Sequence, residues 1–421
     1  MFDSFLKNLE SLDIIQTSLI TTIISSISVF IYFYTKENFN KGENTSHILG
    51  PGHIPILGSG LFLKKNFNNL THQLYLYSKQ NSFKTFCIKN LFAPNTYVNS
   101  SPEVVEHILK NKFNNYVKGE LTKERVHDLL GNGIFASDGE SAKLQRKTAA
   151  NIFNVKSFKD WVANIFQNEM DVFFGKLNEY SKTGKEFDLY DEFCKFTLDS
   201  FCEIGFGIKL NCLESFEPVA FAAAFDKSQV YLAKRSFNPF WKLSEKFTKE
   251  GREGKICFKE VHDFALNFVL DLKNEENRDK RKDLLSLFLN LKNSDGNVLH
   301  SDEELAYIVL NFIIAGRDTT AQALSWCIYE LSKNPSVELK LLEEIQTNIG
   351  NSVVTYEKIK EMKYANACFL EALRLHPSVP GNKRAAIKDD ILPDGTFVKA
   401  GSYVLWSPYT QGRMPSIWYN S

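Results

Sequence analysis

The pattern of hydrophobic and polar positions changes character along the chain, and each change predicts a different kind of element. From Ile14 to Thr35, IIQTSLITTIISSISVFIYFYT, 22 residues pass without a charge. At about 1.5 Å per helical residue this stretch matches a hydrocarbon core about 30 Å thick. It predicts a transmembrane anchor over 14–35, behind a short N-terminal segment over 1–13. Ser and Thr keep its hydropathy moderate, and Tyr32 and Tyr34 suit a membrane–water interface. A cleaved signal peptide is the alternative, but the apolar stretch is long for one and no small-residue cleavage site is obvious. Lys36 and Lys41 beyond the stretch predict a single-pass protein whose body faces the cytoplasm. Residues 36–60 then carry Pro51, Pro55 and several glycines, which read as a stiff elbow or as an ordinary linker.

In the body, 61–421, residues 64–110 alternate short aromatic-rich runs with polar turns, as a small sheet with helices would. Helical spacing dominates from about residue 140 to 375; Leu284, Leu285, Leu287, Phe288 and Leu291 are one instance. Ser301 and Glu304 form a capping box, and Asn334-Pro335 marks a stop. Between them the pattern predicts one central helix of roughly 30 residues, about 45 Å long. Ala385–Ile391, Thr396–Val398 and Tyr403–Trp406 read as strands, with a turn at Pro393-Asp394-Gly395. The fold class is therefore mostly α, a helix-rich α+β body.

The central helix contains a defect, AGRDTTAQALSW. Glycine, a charge pair and two threonines interrupt an apolar run, although Gly costs about 1 kcal/mol against Ala inside a helix. Gly316 would open space beside the backbone. Thr319 is placed to bond the carbonyl of Ala315 and bend the helix. Asp318 beside that hydroxyl suits proton transfer; a kinked structural helix with a satisfied polar cluster accounts for the same residues. In FLEALRLHPSVP, Glu371 and Arg374 share one helix face. They are either a surface ion pair or a partly buried bidentate pair among leucines.

Composition narrows the function. Fifty basic residues balance fifty acidic ones, which argues against nucleic acid as a partner. The seven cysteines stand at no metal or redox spacing and read as reduced thiols. No nucleophile elbow, zinc motif or phosphate loop supports a hydrolase using Asp318 or Glu371. The charged stretch 274–283 reads as a solvated loop or helix end. Lys143, Arg146 and Lys147 are a basic patch for a partner or a solvated face. Lys234 and Arg235 either meet a substrate carboxylate at a pocket mouth or are plain surface charge.

Taken in order, these motifs resemble the cytochrome P450 family. AGRDTT is similar to its central-helix signature, and Glu371 to Pro380 resembles its E-x-x-R helix and proline segment. NPSVELKLLEEI and the Pro-rich N-terminus of microsomal members match as well. GIFASDGESAKLQRK, FAAAFDKSQVYLAKRSFNPFWKL and SPYTQGRMPSIW resemble the clan with fatty-acid ω-hydroxylases.

The resemblance implies a haem monooxygenase that inserts one atom of O2 into an apolar, fatty-acid-like substrate. Its electrons would come from NADPH through a cytochrome P450 reductase, and the protein would sit in the endoplasmic reticulum membrane. It implies Thr319 and Asp318 as catalytic proton-handling residues and Arg146 and Arg384 as partners of the haem propionates. Gly316, Glu371 and Arg374 would be structural. Two departures stand out. The family's C-helix tryptophan aligns with Ala142, and the loop carrying the axial cysteine is absent, so no metal ligand is identified. The expectation is a C-terminally truncated P450 fold, without the ligand loop and last helix, inactive as written because the thiolate drives O–O cleavage. A remnant that binds apolar ligands without metal is the alternative.

Overall fold

The computed structural model describes residues 14–39 and 48–419, apart from 56, 91–92, 153–155, 216–218, 277–280, 282, 294 and 351. Residues 1–13 lie outside the described residues. Helix α1 spans Ile14–Phe39. Among the described residues, however, no helix is long and apolar enough to cross a membrane. This overturns the single-pass anchor and the endoplasmic reticulum placement that rested on it. Within the span, α1 carries hydroxyls through its middle. Thr22 and Ser26 donate to the carbonyls of Ser18 and Thr22 at 2.8 and 2.7 Å, satisfying themselves along the helix without making it more apolar.

A six-stranded sheet runs in the order β1-β2-β3-β8-β5-β4. Its strands are β1 Ile48–Leu49, β2 Phe86–Asn90, β3 Ala93–Val98, β4 Tyr116–Val117, β5 Asn382–Ala386 and β8 Tyr403–Trp406. The Pro/Gly segment is tied to this sheet. β1 pairs parallel to β2, and the Gly50 N–H donates to the Cys87 carbonyl at 2.8 Å. A separate hairpin, β6 Asp390–Ile391 and β7 Phe397–Val398, closes over Gly395, whose φ of +84° only glycine adopts easily. The run read as one strand over Ala385–Ile391 is thus divided between β5 and β6, because Ile387–Asp389 leave the sheet to reach the hairpin.

The remaining mass is helical. The longer helices that frame the site are α2 Leu70–Gln80, α3 Glu120–Leu130, α4 Gly139–Ile152, α5 Lys156–Thr183, α6 Leu189–Phe206, α7 Ala220–Arg235, α8 Lys249–Asn274, α9 Asp302–Gly316, α10 Asp318–Lys333, α11 Pro335–Asn348 and α12 Lys363–Leu375. The largest core cluster joins α3, α6, α7, α8 and α9 through Leu129, Phe206, Phe225, Val261, Val309 and Ile313. Burying each large apolar side chain contributes about 1.5–3 kcal/mol, so α9 is fixed along its whole length. The capping box at its start is complete, with Ser301 N donating to Glu304 Oε2 at 2.9 Å and Glu304 N to Ser301 Oγ at 3.3 Å.

The central helix predicted as one rod is two. It breaks at Arg317, between α9 and α10.

Candidate functional site

The break has a local cause. Arg317 sits at φ −77°, ψ −70°, and its carbonyl accepts a bond from Thr197 Oγ1 at 3.1 Å as well as the helical one from Ala321 N at 3.0 Å. Two residues on, Thr319 Oγ1 donates to the Ala315 carbonyl at 2.7 Å. Side-chain donors inserted on successive carbonyls distort the ladder. Gly316 leaves no empty groove. A Cβ there would lie 2.6 Å from Cε2 of Phe201 and closer still to Cδ2 and Cγ, so glycine is needed to admit that ring from α6.

Around the break, polar side chains form a network that the sequence did not reveal. Arg317 is 2 % exposed and reaches α7, where Nη1 and Nη2 donate to the two carboxylate oxygens of Asp226 at 2.6 and 3.3 Å. Arg317 Nη1 also donates to Asp318 Oδ1 at 2.7 Å, and Gln229 Nε2 to Asp318 Oδ2 at 2.9 Å. Burial raises the Asp318 carboxyl above its ordinary range, against the pull of Arg317 and Gln229. Burial alone would lower the Arg317 guanidinium, but the hydrogen bond to Asp226 and the charge of Asp318 outweigh it and hold it up. The usable signal was Arg317 itself: an arginine in an apolar run needs carboxylates from another element.

Thr319 and the segment after α12 are joined, since Ser378 Oγ donates to the Thr319 carbonyl at 2.8 Å. At the end of α12, Arg374 Nε and Nη2 bind Glu371 Oε2 and Oε1 at 2.7 and 2.6 Å, a bidentate pair. Arg374 Nη1 donates to the Gly412 carbonyl, and the guanidinium lies over the Trp418 ring at 5.1 Å. The pair thus ties α12 to the C-terminal segment. The hydrogen bond from Arg374 lowers the Glu371 carboxyl, although that side chain is 53 % exposed.

Arg146 of α4 and Arg384 of β5 come together with Lys118. The antiparallel register pairs Tyr116 with Ala386 and Val117 with Ala385, so the next residue, Lys118, falls beside Arg384. Burial, then Arg384 and Arg146, push the Lys118 ammonium down to about 8. Burial likewise lowers Arg384, with Arg146 adding to it and Asp138 opposing. Asp138 already accepts the Lys118 backbone N–H at 2.9 Å and pairs with Lys123 at 3.2 Å. Three cations therefore share one committed carboxylate. Lys118 had no sequence signal, because only the strand register brings it there.

Lys234 and Arg235 each meet carboxylates of the protein. Lys234 pairs with Glu250, and Arg235, 1 % exposed, binds Glu245 and Asp128 at 2.6 Å each and stacks on Trp241. Arg235 is a buried tie between α3, α7 and the helix Trp241–Phe247, whereas Lys234 and Glu250 line an open cavity between α7 and α8. On α4, Lys143 pairs with Glu140, both side chains well exposed.

A model of the cytochrome P450 family matches residues 49–421. This chain belongs to the cytochrome P450 family. It is 36% identical to cytochrome P450 monooxygenase cyp1 of Mycosarcoma maydis over 89% of this chain and 61% of that protein. It is 35% identical to cytochrome P450 94A1 of Vicia sativa, over 87% of this chain and 72% of that one. With cytochrome P450 704B1 of Arabidopsis thaliana the identity is 32%, over 95% and 83%. The chain spans less than two thirds of the length of the first of these relatives. The family is one of monooxygenases that use haem, with electrons from a redox partner.

Haem carries two carboxylates and an iron, and the residues of this P450 chain answer the two parts differently. The cations Lys118, Arg146 and Arg384, with Asp138 as the one acid acting on Lys118 and Arg384 among the described residues, suit the carboxylates. Among the described residues the iron finds no counterpart. All seven cysteines are free. Burial pushes every thiol up, Cys194 to about 11 and Cys87 and Cys212 to about 12. A thiolate ligand needs the opposite setting. Among the described residues no three His, Cys, Asp or Glu side chains gather as a metal site. The residues present fit the acid groups of haem and not its metal.

Proposed function

We propose that residues 48–421 are the haem- and substrate-holding body of a monooxygenase that places one atom of O2 into a C–H bond of an apolar, fatty-acid-like molecule. An NADPH-dependent cytochrome P450 reductase would supply the electrons. The observation that carries this reading is the broken central helix, where a buried carboxyl, Asp318, and a threonine hydroxyl, Thr319, occupy consecutive positions just after the break. Arg146 and Arg384, with Lys118, would hold the haem carboxylates. When bound, haem supplies the oxidising chemistry.

The chain's own residues handle protons and position. Asp318 takes up a proton more readily than an exposed aspartate because burial raises it. Thr319 spends its O–H on the Ala315 carbonyl, which leaves its oxygen free to accept a bond. Gly316 admits Phe201, and Glu371 with Arg374 braces the C-terminal segment.

Burial raises all seven thiols, the opposite of the setting a thiolate ligand needs. This supports a second reading of the same chain, an apolar-ligand binder without metal. The test is expression of residues 1–421 with haem supply, followed by the spectrum of the reduced, CO-bound form. We expect no thiolate-type Soret band, and its recovery, with product from a long-chain alkyl substrate, once a family segment bearing the axial cysteine is appended. A thiolate-type band from residues 1–421 alone overturns the second reading. No hydroxylated product from the completed protein overturns the first.

A further inference from the structure

A cavity of about 540 Å³ lies between α2, the β2–β3 hairpin, the start of α3 and the strands β5 and β8. Small-molecule sites commonly occupy about 300–1,000 Å³. Its walls are largely aliphatic and aromatic, among them Leu70, Leu74, Ile88, Phe237 and Leu405. Two cations interrupt them, Arg125 from α3 and Lys383 from β5.

Among the described residues neither cation makes an ion pair with a carboxylate, and Glu124 acts on Arg125 only at a distance. Arg125 is 8 % exposed, and its buried Nε has no hydrogen-bond partner among the described residues. The nearest acid in sequence, Glu124, is taken by Lys242. Lys383 sits over the ring of Tyr403, 4.9 Å from its centroid. Burial pushes its ammonium down to about 8, and the charge of Arg125 beside it pushes the same way. Burial lowers Arg125 too. A buried and a half-buried like charge facing one largely apolar cavity are unfavourable unless an anion joins them.

Strand geometry shows why these cations are separate from those near Arg146. β5 pairs antiparallel with β8, Lys383 opposite Leu405 and Arg384 opposite Val404. Side chains alternate faces along a strand. Lys383 and Leu405 both line the cavity, whereas Arg384 turns to the other face and lies by Trp406, 5.8 Å from its centroid. The cavity is nonetheless connected to the broken helix. The segment that supplies Lys383 begins just after Ser378, the residue that donates to the Thr319 carbonyl.

We propose that this cavity takes the acid end of a chain-like amphiphile. The carboxylate is held between the Arg125 guanidinium and the Lys383 ammonium, and the alkyl chain lies against Leu70, Leu74 and Leu405. The inference rests on the apolar, chain-like substrate proposed above, and it adds the group by which such a molecule is recognised.

The test needs no haem. Dodecanoate and dodecan-1-ol, each below its aggregation limit, are titrated calorimetrically into residues 1–421 and into the Lys383→Met, Lys383→Arg and Arg125→Gln variants. Lys383 is partly exposed on a strand and Met preserves its length, so that variant is the one least prone to misfolding. Dodecanoate should bind at least about ten-fold more tightly than the alcohol, the order expected of one charge-assisted hydrogen bond. Lys383→Met should remove that preference and leave alcohol binding unchanged, while Lys383→Arg keeps it and Arg125→Gln reduces it. Equal affinity of the parent for acid and alcohol overturns the anchor and leaves the apolar-substrate reading standing. An undiminished acid preference in Lys383→Met overturns the anchor as well. Binding of neither probe overturns both.

Discussion

Replacing Arg317 with methionine tests the network that breaks the central helix. The substitution keeps side-chain length and removes the charge that faces Asp318 and Asp226. Deleting one partner of a buried ion pair typically costs about 3–5 kcal/mol, because the other charge stays buried without compensation. Asp318 is 7 % exposed and stands in that position, with Gln229 as its remaining side-chain partner. Asp226 does not, since its side chain is 55 % exposed and water can take over. The expected loss is therefore about 2–4 kcal/mol, nearly all of it through Asp318.

For 421 residues at roughly 2.1 cal/mol/K each, unfolding entropy is about 0.9 kcal/mol/K, so the melting temperature should fall by about 2–4 °C. The loss should depend on pH, and the sign follows from Asp318. In the variant its folded-state pKa rises further above the unfolded value of about 3.9. A raised carboxyl leaves the folded state holding the extra proton, so stability declines as pH climbs from the unfolded toward the folded pKa. The deficit in thermal unfolding should thus be larger at about pH 8 than at about pH 5. Adding Asp318→Asn to Arg317→Met should recover stability and flatten the pH dependence, since no buried charge remains. Equal deficits at both pH values, or a double variant as unstable as the single one, would refute the reasoning.

Two further expectations follow from the same helix. Gly316→Ala gains about 1 kcal/mol of helix propensity but drives a methyl into Phe201, and overpacking of that kind costs about 1–3 kcal/mol; Phe201 cannot simply retreat, because it meets Phe206 edge-on at 5.7 Å. The single change should lower the denaturation midpoint and Phe201→Leu should offset it, so a midpoint raised by Gly316→Ala alone would show that the ring yields freely. In a haem-loaded protein completed with an axial-cysteine segment, Thr319→Ala should leave NADPH consumption running while product per electron drops; unchanged product yield would remove the threonine from proton handling.

The parts of this structure that could be read from the sequence are those written in short spacings. Ser301 and Glu304 specify a cap within one turn, Glu371 and Arg374 share a face, and Thr319 reaches the carbonyl four residues back. Each needs only helical geometry. The anchor was misjudged for a related reason: freedom from charge was read as apolarity, and the hydroxyls of α1, which bond back along the helix, were given too little weight. The single central rod failed because its break depends on Thr197 and Asp226, residues from α6 and α7 about a hundred positions away. Nothing within the run AGRDTT says which elements will pack on it. Lys234 and Arg235 mislead in the same way: their acids, Glu250, Glu245 and Asp128, are supplied by neighbouring helices.

Charge shows most sharply what a linear reading misses. Fifty basic and fifty acidic residues average to nothing, which argues against nucleic acid as the main partner. Folding then sorts those charges unevenly. Carboxylates gather on Arg235 and Arg317, each of which holds two. Elsewhere cations are left short: Lys118, Arg146 and Arg384 around Asp138 on one face of β5, and Arg125 with Lys383 on the other. Lys383 and Arg384 are adjacent in the chain and would be counted as one basic dipeptide. A strand with a period of two divides them between opposite faces, where the first meets an apolar cavity and the second a polar cluster. Each face of β5 thus presents a positive site that an anion would stabilise, one through Lys118, Arg146 and Arg384 and the other through Arg125 and Lys383.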